Sequence, residues 1–424
     1  MKIKKYYPRI ADYLLENALR SSPAVLIEGP KWCGKTSTAL RSSKSHLYLQ
    51  DPDTRLNNLK IAETKPSLLL KGDTPRLIDE WQLAPVLWDS VRHEADLRGE
   101  LGQFILTGSA TPIMDEKLSH TGAGRISRLR MRTMSLFESE ESTGEVSLKE
   151  LFDSKIEIES SADLTIEKLA HVIVRGGWPA SVVLDNEMAL KRVQNYIDAI
   201  IQSDISKVDG IEKNPQKVEQ LLKSLARNIS TSASLATIQK DSEEGESESI
   251  SAPTVTSYIT ALQRLFVIED LHAWLPSIRS KTPLRSAVKR HFTDPSIATA
   301  LLDIDQKKLL TDFNMFGYLF ESLCIRDLRV YADYLGAKVF HYRDKSELEC
   351  DAVVVLRDGR WGAIEVKMGS KEFDKAANNL FRLKERIDTS KMQEPSFMMI
   401  LSATNIGYTR KDGIYVVPIG SLKW

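Results

Sequence analysis

Cysteine is scarce in this chain: Cys33, Cys324 and Cys350 are the only three in 424 residues. Their odd number and lack of metal-ligand spacing exclude a disulfide framework and a cysteine-rich metal site, and they fit a reducing, cytoplasmic setting. No apolar run approaches the ~18 residues of a membrane span, so no membrane partner is expected. The opening MKIKKYYPRI is basic but has no apolar core of a signal peptide. Charge of one sign is also missing. Lys+Arg and Asp+Glu both number 58, which excludes a globally basic nucleic-acid binder and leaves room only for local patches. No internal repeat is present. With 42% hydrophobic and 27% charged residues the composition is globular. The length calls for two or three domains.

What is present begins at Gly29-Pro30-Lys31-Trp32-Cys33-Gly34-Lys35-Thr36. The spacing G-x-x-x-x-G-K-T is that of a P-loop, whose backbone N–H groups wrap nucleotide phosphates. Lys35 reaches the β- and γ-phosphates, and the Thr36 hydroxyl binds Mg²⁺. The apolar run Ala24–Ile27 precedes the loop and a helix-compatible stretch from Thr36 through Ser37 to Arg41 follows it. That strand, loop, helix order puts a helix N-terminus at the phosphates. ATP and Mg²⁺ are therefore the expected ligands, held by Gly29 to Ser37.

Hydrolysis further needs a carboxylate for the metal and a base for the attacking water. Arg76-Leu77-Ile78-Asp79-Glu80 ends an apolar strand with both, Asp79 for Mg²⁺ and Glu80 for water. The next strand ends in Thr107-Gly108-Ser109, where Thr107 or Ser109 can sense the γ-phosphate at the carboxyl edge of a parallel sheet. Arg125 follows Thr121-Gly122-Ala123-Gly124. One reading makes it an arginine finger for a neighbouring subunit's nucleotide, which implies a homo-oligomer. The other makes Arg125, Arg128, Arg130 and Arg132 the solvated side of a strand.

Short apolar runs alternate with helical stretches over residues 24–132, predicting a parallel sheet covered on both faces. The expected strands are Ala24–Glu28, His46–Gln50, Arg76–Asp79, Gln103–Thr107 and Arg125–Arg132. Residues 138–164 are acidic and Ser-rich and read as a connecting region. Residues 215–275 read as a helix-turn-helix with a wing. Its last helix is built on Val255, Tyr258, Ile259, Leu262 and Phe266, and a wing strand lies within Leu265–Trp274. An acidic loop, Asp241–Glu248, separates the second and third helices. The helix exposes Thr254, Thr256, Ser257, Thr260, Gln263 and Arg264. A basic run, Arg279, Lys281, Arg285, Lys289, Arg290 and His291, is a candidate nucleic-acid patch or a solvated linker.

Residues 20–140 resemble the AAA+ ATPase domain of a prokaryotic family of ATP-binding proteins. The resemblance rests on GPKWCGKT, YLQDPDTR, LIDEWQ, FILTGSA and GAGRISRLRMRTMSLFE. It extends to the C-terminal region, a domain of unknown function that in this family is related to PD-(D/E)xK nucleases. Trp32-Cys33 departs from the smaller or polar residues usual in the loop. Only backbone is required there, although Cys33 opens the loop to oxidation.

The C-terminal segment has the matching spacing, Asp351-x13-Glu365-x-Lys367. Two carboxylates there hold Mg²⁺ or Mn²⁺ and the lysine activates water or stabilises phosphorane charge. A two-residue Asp358-Gly359 turn would place Asp351 opposite Val366, on the wrong face. A three-residue loop, Arg357-Asp358-Gly359, pairs Leu356 with Arg360 and Asp351 with Glu365, and sets Lys367 opposite Glu349. The three-residue loop is expected. The resemblance adds Glu321, from a preceding helix, as a further metal ligand; its apolar surroundings demand a partner such as a metal or Lys367.

The expected class is α/β. A P-loop parallel-sheet ATPase domain spans 1–150 and a helical, winged-helix region 151–285. An α/β PD-(D/E)xK nuclease-like domain spans 286–424. The expected activity is hydrolysis of Mg-ATP coupled to a nuclease-like module acting on DNA or RNA. The alternative is an ATP-gated switch or assembly scaffold with a non-catalytic C-terminal module. A kinase is disfavoured by the strand-end Asp79-Glu80 pair and by Gly124-Arg125.

Overall fold

Ala24-Val25-Leu26-Ile27 is buried on both faces, as the central strand of a parallel sheet requires. In the structure, a computed structural model, residues 5–110, 124–243, 250–277, 285 and 287–424 are described. They divide into two compact units. One holds the described residues of 1–133, 203–212 and 260–267, and the other those of 134–202, 213–259 and 268–424.

The first unit runs α1 (Ile10–Leu19), β1 (Ala24–Glu28), α2 (Lys35–Ser42), β2 (Ser45–Tyr48), α3 (Arg55–Thr64), β3 (Arg76–Asp79), α4 (Val86–Arg98), β4 (Phe104–Gly108) and β5 (Ile126–Arg130). Among the described residues its sheet is all parallel, in the order β2-β3-β4-β1-β5. Side-chain alternation divides its core in two. Val25, Ile27, Leu77 and Ile105 pack with Ala11 and Leu15 of α1 and Ala39 of α2. Leu26, Ile78 and Leu106 pack with Trp81, Leu87, Trp88 and Val91. The sheet is thus closed on both sides and only its strand ends remain for chemistry.

The second unit begins with β6 (Val146–Ser147), α5 (Leu148–Asp153) and β7 (Glu159–Ser161). These fall in the stretch expected to be a connecting region. Instead β6 pairs with β16 (Leu422–Lys423), and β7 forms one edge of the unit's large sheet. Then come α6 (Ile166–Arg175), α7 (Asn186–Ala199), α8 (Ile205–Lys207, which clusters with the first unit), α9 (Pro215–Arg227), α10 (Leu235–Glu243) and α11 (Ala252–Arg264). Thr165, Asp185 and Asn214 cap α6, α7 and α9, each accepting backbone N–H bonds; such caps contribute about 1 kcal/mol apiece. Pro215 follows Asn214 at the first helical position, where its missing N–H costs nothing.

β8 (Ile268–Leu271) pairs antiparallel with β9 (Lys289–Phe292). Next are α12 (Pro295–Leu301), α13 (Gln306–Thr311), α14 (Phe313–Leu335), β10 (Lys338–Arg343), β11 (Glu349–Val355), β12 (Trp361–Lys367), α15 (Phe373–Arg386), β13 (Phe397–Ser402), β14 (Ile406–Thr409) and β15 (Tyr415–Pro418). Among the described residues the sheet order is β10-β11-β12-β13-β15-β14-β7. The tail strand β15 is interior and buried because β14 and then β7 are added outside it.

A buried ionic knot ties this unit together. Arg326 of α14 pairs with Asp294 at 3.1 Å and Asp327 at 2.7 Å, and all three side chains are at most 2% exposed. Asp294 also accepts the Gly177 and Ser296 N–H groups, and Asp327 accepts the Leu136 N–H. The turn at Gly176-Gly177-Trp178-Pro179 is set by contact as well as backbone freedom. A Cβ on Gly177 would lie 2.2 Å from the Met134 carbonyl oxygen.

Candidate functional site

The carboxyl ends of β1, β3 and β4 lie side by side, with Asp79 opposite both Tyr48 and Thr107. The loop after β1 carries Gly29 to Gly34. A Cβ on Gly29 would lie 2.1 Å from the Met131 carbonyl oxygen, so the loop leaves the sheet where only glycine fits. Gly34, at φ 106°, is the left-handed entry to α2, and Trp32 also takes positive φ, 68°, with its side chain exposed. The Lys35 ammonium donates to the Gly29 and Pro30 carbonyls at 2.9 and 2.8 Å, holding the loop curled around it. Lys31 pairs with Asp204 at 2.6 Å, and Ser37 is exposed in the first turn of α2.

Cys33 is fully buried, its thiol facing the Met131 carbonyl at 3.7 Å. The expected sensitivity to oxidation is therefore corrected: the thiol is shielded from solvent oxidants. Arg9 lies beyond what sequence reasoning found. Buried, it donates to the Cys33 carbonyl and the Arg132 carbonyl, both at 2.8 Å, and so ties the loop to the segment after β5.

The two acids are held by hydroxyls. One oxygen of Asp79 accepts from Thr36 at 2.8 Å and from Thr107 at 2.6 Å. Thr107 in turn accepts the Glu80 N–H at 3.2 Å. Thr107, one of the two candidates for sensing the γ-phosphate, is fully buried and engaged with the acid pair. Glu80 adopts a left-handed backbone, φ 56° and ψ 48°, a conformation that for a non-glycine residue signals a position fixed by its surroundings. Its carboxylate accepts from Ser109 at 3.2 Å and, by a short bond, from Gln82. Gln82 lies within the LIDEWQ motif but was not singled out there. Arg125 is half exposed and pairs with Asp96 at 2.8 Å. Thr121 to Ala123 lie outside the described residues.

The second constellation forms at β11 and β12. The hairpin has the register of the three-residue loop: Leu356 bonds to Arg360, Gly359 takes φ 89°, and the ladder runs Val355↔Trp361 to Ala352↔Ile364. Next to this ladder, the Asp351 carboxylate accepts the Val366 N–H at 2.9 Å. Lys367 pairs with Asp351 at 3.2 Å and Glu365 at 2.8 Å. Glu321 is brought to the same place by α14, where its ion-pair partner is not Lys367. It is Lys289 of β9, at 3.0 Å, which also stands 3.7 Å from Asp351. Glu349 pairs with Arg343 at 2.6 Å.

Burial pushes Glu321 up to about 7 and, with the Asp351 charge, Glu365 up to about 8. Burial also opposes the charge on Asp351, but Lys367, Lys289 and the Val366 N–H outweigh it and hold this carboxyl below its usual range. Both lysines are held above their ordinary value, because the carboxylates outweigh burial.

These facts correct two expectations. Among the described residues no group of three or more His, Cys, Asp and Glu side chains is placed to hold a metal ion. Glu321, Asp351 and Glu365 therefore do not form the expected ligand set; ammonium groups lie against all three carboxylates. The described residues of the basic run also do not form a surface patch. Lys289 and His291 are buried, Arg290 lies near Asp270 and Arg285 pairs with Glu347. Arg279 and Lys281, like Glu244 to Glu248 of the acidic loop, lie outside the described residues.

Residues 21–140 match the family model described as AAA domain. Residues 166–308 and 316–422 match two models described as domains of unknown function, DUF8612 and DUF4143. Uncharacterized proteins of Mycobacterium bovis and Mycobacterium tuberculosis are each 23% identical over 368 residues, covering 85% of this chain and 74% of theirs. Among solved structures, a Walker-type ATPase of Pyrococcus abyssi is 16% identical, with a TM-score of 0.43 over 70% of this chain and 96% of that one. AMPPCP-bound DnaA of Aquifex aeolicus is also 16% identical, with a TM-score of 0.28 over 62% and 89%. No described helix is long and apolar enough to cross a membrane.

Proposed function

We propose that the first unit, an AAA-type P-loop domain, hydrolyses ATP, and that the second is a nuclease-like module acting through partner binding. The observation carrying the first part is the acid pair. Asp79 and Glu80 are adjacent, yet Asp79 faces the Thr36 hydroxyl while Glu80 turns through a left-handed residue to Ser109 and Gln82. This separation of the two carboxylates supports one serving the metal and the other the water. Thr36 and Asp79 suit Mg²⁺, which when bound offsets phosphate charge. Lys35 draws the β- and γ-phosphates to the loop. Glu80 orients a water whose oxygen bonds to the γ-phosphorus as the bond to the ADP oxygen breaks, and takes up its proton.

Arg125 supports the finger reading in one respect. Its surface pair with Asp96 contributes about 0–1 kcal/mol, so it is readily exchanged for a neighbouring subunit's phosphate in a homo-oligomer. The order α9, α10, α11 and the β8–β9 ladder supports a winged-helix reading of the middle region. α11 exposes Thr256, Ser257 and Thr260, uncharged groups suited to DNA, RNA or a protein partner. The α14-β10-β11-β12-α15-β13 order supports the nuclease-like reading of the C-terminal part. The buried lysine at Glu321 favours a non-catalytic module over a working nuclease.

Lys35→Ala tests the nucleotide site. Losing a charge-assisted contact of about 1.5–3 kcal/mol predicts roughly 10–100-fold weaker ATP binding by isothermal titration of the full chain. Wild-type affinity in that variant would reject the site.

A further inference from the structure

We propose that the Lys289 ammonium is the resident cation of the C-terminal acidic cluster, standing where nuclease-like folds place a divalent metal. The inference rests on the nuclease-like reading of this module. Three carboxylates converge from separate elements: Glu321 from α14, Asp351 from β11 and Glu365 from β12. Lys367, two residues after Glu365, pairs with Asp351 and Glu365. That leaves Glu321 and the second oxygen of Asp351 facing a common space. Lys289 fills it, with its nitrogen 3.0 Å from Glu321 and 3.7 Å from Asp351 Oδ1.

The lysine arrives from outside the constellation. β9 is paired with β8 in a two-stranded sheet separate from the one that holds the β11–β12 hairpin. Its side chain is buried, and a buried ammonium is stable only against carboxylates such as these. A divalent ion bound between Glu321 and Asp351 would sit against this ammonium as well as that of Lys367. Like charges at such separations in a buried site repel strongly. The two lysines thus supply the compensation that the carboxylates would otherwise take from a metal, and the cluster serves as a fixed internal brace.

The test is Mn²⁺ titration of the nucleotide-free full chain, followed by electron paramagnetic resonance. It compares wild type, Asp351→Asn, Lys289→Met and the Lys289→Met/Asp351→Asn double variant. Wild type and Asp351→Asn should bind Mn²⁺ alike. Lys289→Met, which keeps the chain's length and apolar volume without the charge, should gain one site at least tenfold tighter than any in wild type. The double variant should lose that site. A wild-type Mn²⁺ site abolished by Asp351→Asn would overturn the inference while leaving the nuclease-like reading intact, and it needs no Lys289 variant to fold. If Lys289→Met keeps the wild-type circular dichroism yet gains no site, the inference falls. Plasmid incubated with wild type and Mn²⁺ should stay supercoiled; cleavage lost in Asp351→Asn would also overturn the inference.

Discussion

Replacing Glu80 by glutamine should slow ATP turnover on the order of 10²–10⁴-fold, the usual contribution of a positioned general base. ATP affinity should stay within about twofold, a difference worth only ~0.4 kcal/mol. The separation of the two effects is what the geometry demands. Glutamine keeps the shape of the side chain, the left-handed turn and an oxygen able to accept from Ser109 and Gln82. It leaves untouched Lys35, Thr36 and Asp79, the residues we propose hold the phosphates and metal. Only the capacity to take a proton is removed. Steady-state phosphate release alongside isothermal titration measures both. Undiminished turnover would show that water is activated elsewhere, and a parallel loss of affinity would show that Glu80 belongs to the binding surface.

Arg326→Met should lower the stability of the second unit by about 3–5 kcal/mol, as expected when one member of a buried ion pair is removed. The loss is large because the arginine answers two buried carboxylates at once. Burial pushes Asp327 up even with Arg326 beside it, whereas Asp294 stays below its usual range only through Arg326, Ser296 and the Gly177 N–H. Without the guanidinium both acids are left uncompensated. The melting temperature, read by circular dichroism, should fall by about 10 °C, given roughly 2–4 °C per kcal/mol in a domain of this size. Adding Asp294→Asn and Asp327→Asn should recover part of the loss. A shift under about 2 °C would mean that the knot contributes little.

That the residues of the candidate nucleotide site lie together was legible because they sit on local segments. A P-loop, a strand ending in two acids and a strand ending in Thr107 each lie within one short segment, and parallel pairing brings such ends together. The β11–β12 register was legible too, since Gly359 and the period of two fix which residues face each other. Lys289 was not. It lies 32 residues before Glu321, in a run whose charges resemble a solvated linker, and only its burial separates it from Arg285. Arg9 hid in the same way, as one basic residue in a basic N-terminal stretch. The segment 138–164 was misread because short, polar strands such as Glu159-Ser160-Ser161 carry no alternating apolar signal. Their place is decided by a partner strand far along the chain.

The pairing of β6 with β16 and of β7 with β14 also sets a schedule for synthesis. Ser147 donates to the carbonyl of Trp424, 277 residues later. A ribosome adding about 5–20 residues per second takes roughly 14–55 s to cover that distance. Throughout that interval Val146–Ser147 and Glu159–Ser161 wait with their backbone groups unmatched, while the helices between them emerge. The edge strands of this unit therefore cannot close until the last residues of its sheet have been made.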